Sequence, residues 1–339
     1  MSQKFVEVFR GDRPESCHYG SLAVVDKNSN LLASAGEPGT LTFWRSAAKP
    51  VQILPVLTSG AAQHYQFTDE ELAVMMASHS GQECHRKQVK NILDKIGADK
   101  EDLNCGIHPP IHKTTRRNLY RNQNKPDAIH NNCSGKHAAM LSLCTYHDWN
   151  LDNYFKKDHP LQQMMLNYIG KLTGYSADRI DTGIDGCGVI VYHIPIKNMA
   201  TAYARLVNPV DLSESLQDAC NKITEVMNNH PELIAGSGRF NKDLLADYTG
   251  DKILAKSGAE GIFCFAHNSG WGAAVKVCDG NKRAIPPVVL DCFKQLDKLN
   301  PEMEEQLQDY FSPDIKNHRD EKVGCIKSRL NLKLIKQEA

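Results

Sequence analysis

Two serines and two lysines carry the first chemistry this sequence offers. The stretch FWRSAAKPVQ, residues 43–52, sets Ser46 and Lys49 three apart, with Ala47 and Ala48 between them and Pro50 next. On a helix, positions i and i+3 share a face, and a proline fits the first turn, where its missing N–H is no loss. A serine hydroxyl becomes a nucleophile once a base takes its proton. Burial lowers the pKa of a lysine and makes it such a base. The stretch therefore reads as a nucleophile–base pair, or as a helix start with a surface lysine. ASHSG places Ser78, His79 and Ser80 before Gly81. That is a second hydroxyl able to relay a proton to a leaving group, or a helix end closed by glycine. LAKSGAEGIF places Lys256, Ser257 and Gly258 at the end of an expected strand. There a small residue and a glycine let a substrate lie along the strand edge; the plainer alternative is a turn with a surface lysine.

A different chemistry sits in HNNCSGKHAAM and GIDGCGVI. Cys133 and Lys136 are three apart at an expected helix start, His137 follows, and Asp185 and Cys187 stand among glycines that allow close backbone approach. Thiolates are good zinc ligands. A lysine ligates only as the neutral amine, so a metal must displace its proton, and His137 would be the usual nitrogen ligand. Spacing leaves two readings open, a zinc site or buried free cysteines.

The elements that must hold these residues follow from pattern. KFVEVFR and GSLAVVD read as strands, and LLASAGE as a third after the turn DKNSN. A helix is expected from about Ser46, interrupted near Pro55. TDEELAVMMAS opens with a capping box from Thr68 to Glu71 and ends near SHSG. CHRKQVKNILDKIG is an amphipathic helix stopped at Gly97, and Ser134 is placed to cap GKHAAMLSLCTYH. HPLQQMMLNYIGKLTG and SESLQDACNKITEVMNN continue a helical middle without convincing buried strands. GIFCFAH and WGAAVKVCD are strands joined by the turn NSG, PPVVLDCFKQLDKL is a helix, and KVGCIKSRLNLKLI reads as a last strand. Strands at both ends with helices between predict one antiparallel sheet built from both chain ends, with helices packed on it and a helical lobe. S-x-x-K, a serine-rich turn and K-S-G on a late strand also come in the order found in the penicillin-recognising serine hydrolases, whose fold is of that kind.

Composition narrows the function. In 339 residues, 40 basic and 40 acidic side chains balance, which argues against a nucleic-acid or membrane-surface binder. No apolar run approaches a membrane span, and MSQKFVEVFRGD lacks the apolar core of a signal peptide. The expectation is a cytoplasmic protein whose 11 cysteines are mostly buried free thiols.

RSAAKP, ASHSG, HNNCSGKHAAML, GIDGCG, AGSGRFNKDLL and KSGAEGIF together resemble the rhizobial-type L-asparaginases, a group unrelated in sequence to the threonine-nucleophile asparaginases. The resemblance runs from about VEVFRGD to the final strand. It implies an α+β fold similar to the serine β-lactamases and serine-dependent glutaminases, as a single domain over 1–339 with a helical lobe at roughly 60–180. It implies hydrolysis of L-asparagine to L-aspartate and ammonia by a homodimer. Residue by residue it implies the catalytic pairs Ser46–Lys49 and Ser78–Lys256. It also implies one zinc per subunit, held by Cys133, Lys136 and Cys187 with a water, which selects Lys136 over His137 as ligand. Asp185 and His137 are the expected substrate-binding residues. Many relatives are expected to carry an acidic residue directly after SHSG, where this chain has Gln82 and then Glu83. The same machinery would serve a glutaminase or another penicillin-recognising-type amidase. A non-catalytic zinc-binding module on an inactivated hydrolase fold is the alternative outside enzymes, and the joint presence of Ser46, Lys49, Ser78 and Lys256 argues against it.

Overall fold

The computed structural model describes residues 1–246, 248 and 250–335. The chain forms two compact units. The first takes the described residues of Met1–Ala47, Ile194–Asn208 and Ala246–Ala339, and the second takes Ala48–His193 and Pro209–Leu245.

The first unit is built on a nine-stranded sheet in which every described pairing is antiparallel. Strands Gln3–Arg10 and Arg13–Asp26 form a hairpin closed by Gly11 and Asp12, with Gly11 at φ +53. The C-terminal strand Lys322–Ser328 pairs with Gln3–Arg10, so both chain ends do meet in one sheet. Asp314–Lys316 lies outside it. On the other side the order runs Arg13–Asp26, Trp271–Val277, Ile262–His267, Ile253–Ser257. Leu31–Ala35 also pairs with Arg13–Asp26 and receives the two-residue strand Lys333–Leu334. The single last strand expected over KVGCIKSRLNLKLI is therefore two pieces, Lys322–Ser328 and Lys333–Leu334, which pair with different strands.

Leu22 to Val25 are all fully buried, the mark of a strand covered on both faces. Helix Ile196–Val207 packs closely on the sheet because position 272 is glycine. A Cβ there would stand 2.3 Å from the Ala200 carbonyl oxygen and 2.4 Å from the Ala204 nitrogen. Helix Ile285–Gln295 adds Phe293, whose ring centroid lies 5.4 Å from those of Phe265 and Trp271.

The second unit is mostly helical. Thr68 and Glu71 make the expected reciprocal capping box at the start of Asp69–Met76. Helix Glu83–Ile96 stops at Gly97 in the left-handed region. Ser134–Tyr146, Pro160–Thr173 and Glu214–Asn229 form where periodicity placed them. Three expectations change. The helix from Ser46 is a 3-10 turn, Arg45–Ala48, then short helices Lys49–Gln52 and Leu54–Thr58, with the break at Ile53. Ser134 is the first helical residue rather than the cap, and its hydroxyl donates to the Ile129 carbonyl at 3.0 Å. The middle does contain strands: Asp181–Ile184 pairs antiparallel with Ile190–Pro195. None of the described helices is long and apolar enough to cross a membrane.

Candidate active site

Each expected residue has a definite place within its unit. In the first, Ser46 sits part-exposed in the turn Arg45–Ala48, next to Arg45 at φ +52. A positive φ at a bulky residue is a strained conformation of the kind that collects at functional sites. The preceding Trp44 is fully buried and its indole N–H donates to Cys264 Sγ at 3.3 Å. Cys264 faces Lys256 across the sheet. At Gly258 a Cβ would stand 3.2 Å from the Trp44 carbonyl oxygen. The Ser46 turn and the end of the Lys256 strand are thus neighbours. Lys256 is 1 % exposed and its ammonium donates to the Ser257 carbonyl at 3.1 Å.

In the second unit Lys49 is the centre of a buried cluster. It begins helix Lys49–Gln52, with Pro50 in the first turn as expected. Its side chain, 1 % exposed, donates to the Ala77 carbonyl, to Ser78 Oγ at 3.2 Å and to the Asn132 carbonyl at 3.3 Å. Burial pushes the Lys49 pKa down, Cys133 opposes that, and Lys136 adds to it, leaving the pKa below the ordinary lysine value. This geometry suits a base. With two N–H bonds held by carbonyls, the third direction of the nitrogen faces the Ser78 hydroxyl, and in the neutral amine that direction is the lone pair.

Ser78 does not end a helix against solvent. Residues 78–82 lie outside any helix or strand, and Ser78, His79 and Ser80 are buried. Gly81 donates its N–H to His79 Nδ1 at 3.2 Å, so the ring proton sits on Nε2 and points to Ser134 Oγ at 2.9 Å. Burial holds His79 neutral, well below the usual histidine range.

Cys133, Lys136 and Cys187 converge. GIDGCG closes the hairpin: Asp185 N–H donates to the Val189 carbonyl at 2.8 Å and Gly188 N–H to the Asp185 carbonyl at 2.9 Å. This brings Cys187 Sγ to 3.0 Å from Lys136 Nζ. Cys133 and Cys187 share a hydrogen bond, which raises the Cys133 pKa and lowers that of Cys187; the Lys136 charge lowers the Cys187 pKa further. Burial works against the Lys136 charge, yet Cys187, Cys133 and Asp185 raise its pKa above the ordinary value. Two sulfurs and a nitrogen, each at most 5 % exposed, form a donor set with the softness zinc prefers. No group of three or more His, Cys, Asp or Glu able to hold a metal occurs among the described residues, so the fit depends on Lys136 as a ligand. His137 is fully buried; its Nδ1 meets the Tyr154 hydroxyl at 2.5 Å, and its Nε2 has no partner among the described residues. All 11 cysteines are free, seven of them buried.

Several contacts escaped the sequence reading, among them those of Asn132 and Arg239. The Asn132 carbonyl on Lys49 is a backbone group, with no side-chain signal. Arg239, whose Nη1 donates to the Ser78 carbonyl at 2.8 Å, lies in AGSGRFNKDLL, a stretch noted for resemblance without a task assigned to it.

The second unit thus sets a buried lysine of lowered pKa against a serine hydroxyl. The family model for L-asparaginase II matches residues 6–328, and the chain belongs to that family. No protein with a curated description matches it. Among solved structures it is similar to "Crystal structure of Mglu in its native form in the presence of 4.3M NaCl", at 14% identity and a TM-score of 0.36. The match covers 83% of this chain and 61% of that one, a likeness too distant to bear on activity.

Proposed function

We propose that this chain is an amidohydrolase that converts L-asparagine to L-aspartate and ammonia through a serine acyl-enzyme. Membership of the L-asparaginase II family supports the substrate. The observation that supports lysine-activated serine chemistry is Lys49, buried, lowered in pKa and bonded to the Ser78 hydroxyl; the choice of Ser46 as its nucleophile rests on the family resemblance. In the first step Ser46 loses its proton to neutral Lys49 and attacks the side-chain amide carbon. Backbone N–H groups at the helix start stabilise the oxyanion. Ser78, backed by Lys256, relays a proton to the departing ammonia. In the second step water cleaves the β-aspartyl ester, the serine recovers its proton and L-aspartate leaves.

Asp185, half-buried beside Lys136, is proposed to hold the substrate's amino group, and the unpartnered His137 Nε2 to serve the same binding region. Cys133, Lys136 and Cys187 are proposed to hold one zinc per subunit. When bound, the ion would polarise the substrate or fix its α-carboxylate and amino groups. The proposal extends, on the family resemblance, to a β-lactamase-like and glutaminase-like fold, one functional domain over 1–339 and a homodimer, and, on composition, to a cytoplasmic location.

The 3.2 Å bond from Lys49 to Ser78 favours a second reading, in which Ser78 is the nucleophile. Rapid acid quench followed by peptide mass analysis separates the two. A β-aspartyl ester on the Ser46 peptide supports the first, and an ester on the Ser78 peptide replaces it with the second. Glutamine is one methylene longer than asparagine, and such a difference is worth about 1–3 kcal/mol of discrimination. Parallel assays of both amides therefore set the preference.

A further inference from the structure

AGSGRF, residues 235–240, has no role in the mechanism above, yet it lies along the segment that carries Ser78. It joins helix Pro231–Ala235 to helix Phe240–Leu244. Ser78 needs such a neighbour. It follows Ala77, whose backbone is extended at ψ 155, so no helical ladder holds it. The Ser78 N–H donates to the Ile234 carbonyl at 3.1 Å. The Ser78 carbonyl accepts from Arg239 Nη1 at 2.8 Å, and the same nitrogen reaches the Ala235 carbonyl at 3.1 Å. One guanidinium nitrogen thus ties the two segments together at the serine.

The rest of the strap fixes its register. The Ser80 hydroxyl donates to the Ala235 carbonyl at 2.7 Å. Gln82 Oε1 accepts the Ser237 N–H at 3.2 Å, and Gln82 Nε2 donates to Ser237 Oγ at 2.8 Å, whose own proton goes to Glu232 at 2.9 Å. An amide at position 82 suits this chain of bonds. A carboxylate there would compete with Glu232 for the single Ser237 proton and add a like charge beside it. Gly236 sits at φ +94, and a Cβ on it would stand 2.2 Å from Ser80 Oγ. The close approach therefore requires glycine.

We infer that Arg239 is a positioning residue: held in the strap 235–239, its guanidinium sets where the Ser78 hydroxyl stands against Lys49. The inference rests on the part in the reaction proposed above for Ser78. The planar guanidinium is matched poorly by a lysine ammonium.

The test uses R239A and R239K in the full chain, with steady-state kinetics on L-asparagine, thermal unfolding, and hydrogen exchange at the amides of 77–82. R239A is expected to lose about 10- to 100-fold in kcat, the effect of a misplacement of about 1 Å, with KM changed by less than about threefold. Millimolar guanidinium should restore part of the loss, and the Ser78 amide should exchange faster. R239K, which keeps a donor, should fall between the two and stands in for R239A if that chain does not fold. Wild-type kcat with unchanged exchange would overturn the inference. So would a loss that only follows the folded fraction and ignores guanidinium. S78A isolates the underlying reading: full turnover in S78A removes Ser78 from the reaction, while exchange in R239A still decides whether Arg239 holds the segment.

Discussion

Gly135→Ala should destabilise this protein and slow it, although alanine is the better helix former. Gly135 lies in the first turn of Ser134–Tyr146, directly before Lys136. A Cβ there would stand 2.0 Å from the Val74 carbonyl oxygen and 2.7 Å from the Val74 carbonyl carbon. Both are backbone atoms of helix Asp69–Met76, which leads into Ser78, so no side chain can swing aside. Replacing glycine by alanine within a helix gains roughly 0.5–1 kcal/mol. Relieving a contact more than about 1 Å too short by moving a packed helix costs about 1–3 kcal/mol. At the middle of both ranges the clash wins, and the net loss is about 1 kcal/mol, with about 2.5 kcal/mol as the upper end. The movement falls on the helix of Lys136 and the segment of Ser78, so kcat should drop on the order of 100-fold. Denaturant unfolding gives the first quantity and ammonia release the second. A variant as stable as the parent and fully active would refute the claim that these two backbones meet through glycine.

Lys49 must be neutral to act as a base, and burial lowers its pKa, so the rate should rise with pH along a limb set below the ordinary lysine value; a rate falling from pH 6 to 8 contradicts this. His85, fully buried with Nε2 donating to the Glu232 carbonyl at 3.1 Å, is pushed by burial to about 4. Between pH of about 6.5 and about 4 the unfolded chain binds the extra proton, so up to about 3 kcal/mol of stability, full above pH 6.5, should be lost as pH falls. Unfolding at pH 7 and pH 4.5 checks it, and a His85→Gln chain with an unchanged pH slope removes His85 as the cause. Cys187→Ser should lower zinc bound per subunit after loading, and zinc affinity should rise with pH because Lys136 must give up its proton; elemental analysis with a dye competition reads both, and parental zinc in the variant rules out the ligand set.

The parts of the fold that sequence revealed were those with a local cause. The Thr68–Glu71 box, the stop at Gly97 and the NSG turn between Ile262–His267 and Trp271–Val277 each depend on a few adjacent residues. The sheet from both chain ends followed from where Val- and Phe-rich stretches lie. The hairpin at 181–195 was missed because its first strand, DTGI, buries none of its residues. Helix Lys113–Arg121 was missed for a like reason: KTTRRNLYR buries no side chain and has no apolar stripe to read. Ser134 looked like a cap because its type favours caps, but Ile129 and His79 claim the hydroxyl. At the site, Cys133, Lys136 and Cys187 lie together, whereas the bond from Lys49 to Ser78 is a pairing that spacing did not suggest. The contacts of Lys49 with the Ala77 and Asn132 carbonyls, and of Arg239 with Ser78, are tertiary and leave no trace in spacing.

The most direct measurement is ammonia release from L-asparagine by the purified chain beside its Ser46→Ala and Ser78→Ala variants, with all three shown to be folded. The parent should release ammonia steadily, Ser46→Ala should lose more than about nine-tenths of that rate, and Ser78→Ala should be slower than the parent. Absence of release by a folded, zinc-loaded parent, or undiminished release by both variants, would contradict the proposed reaction.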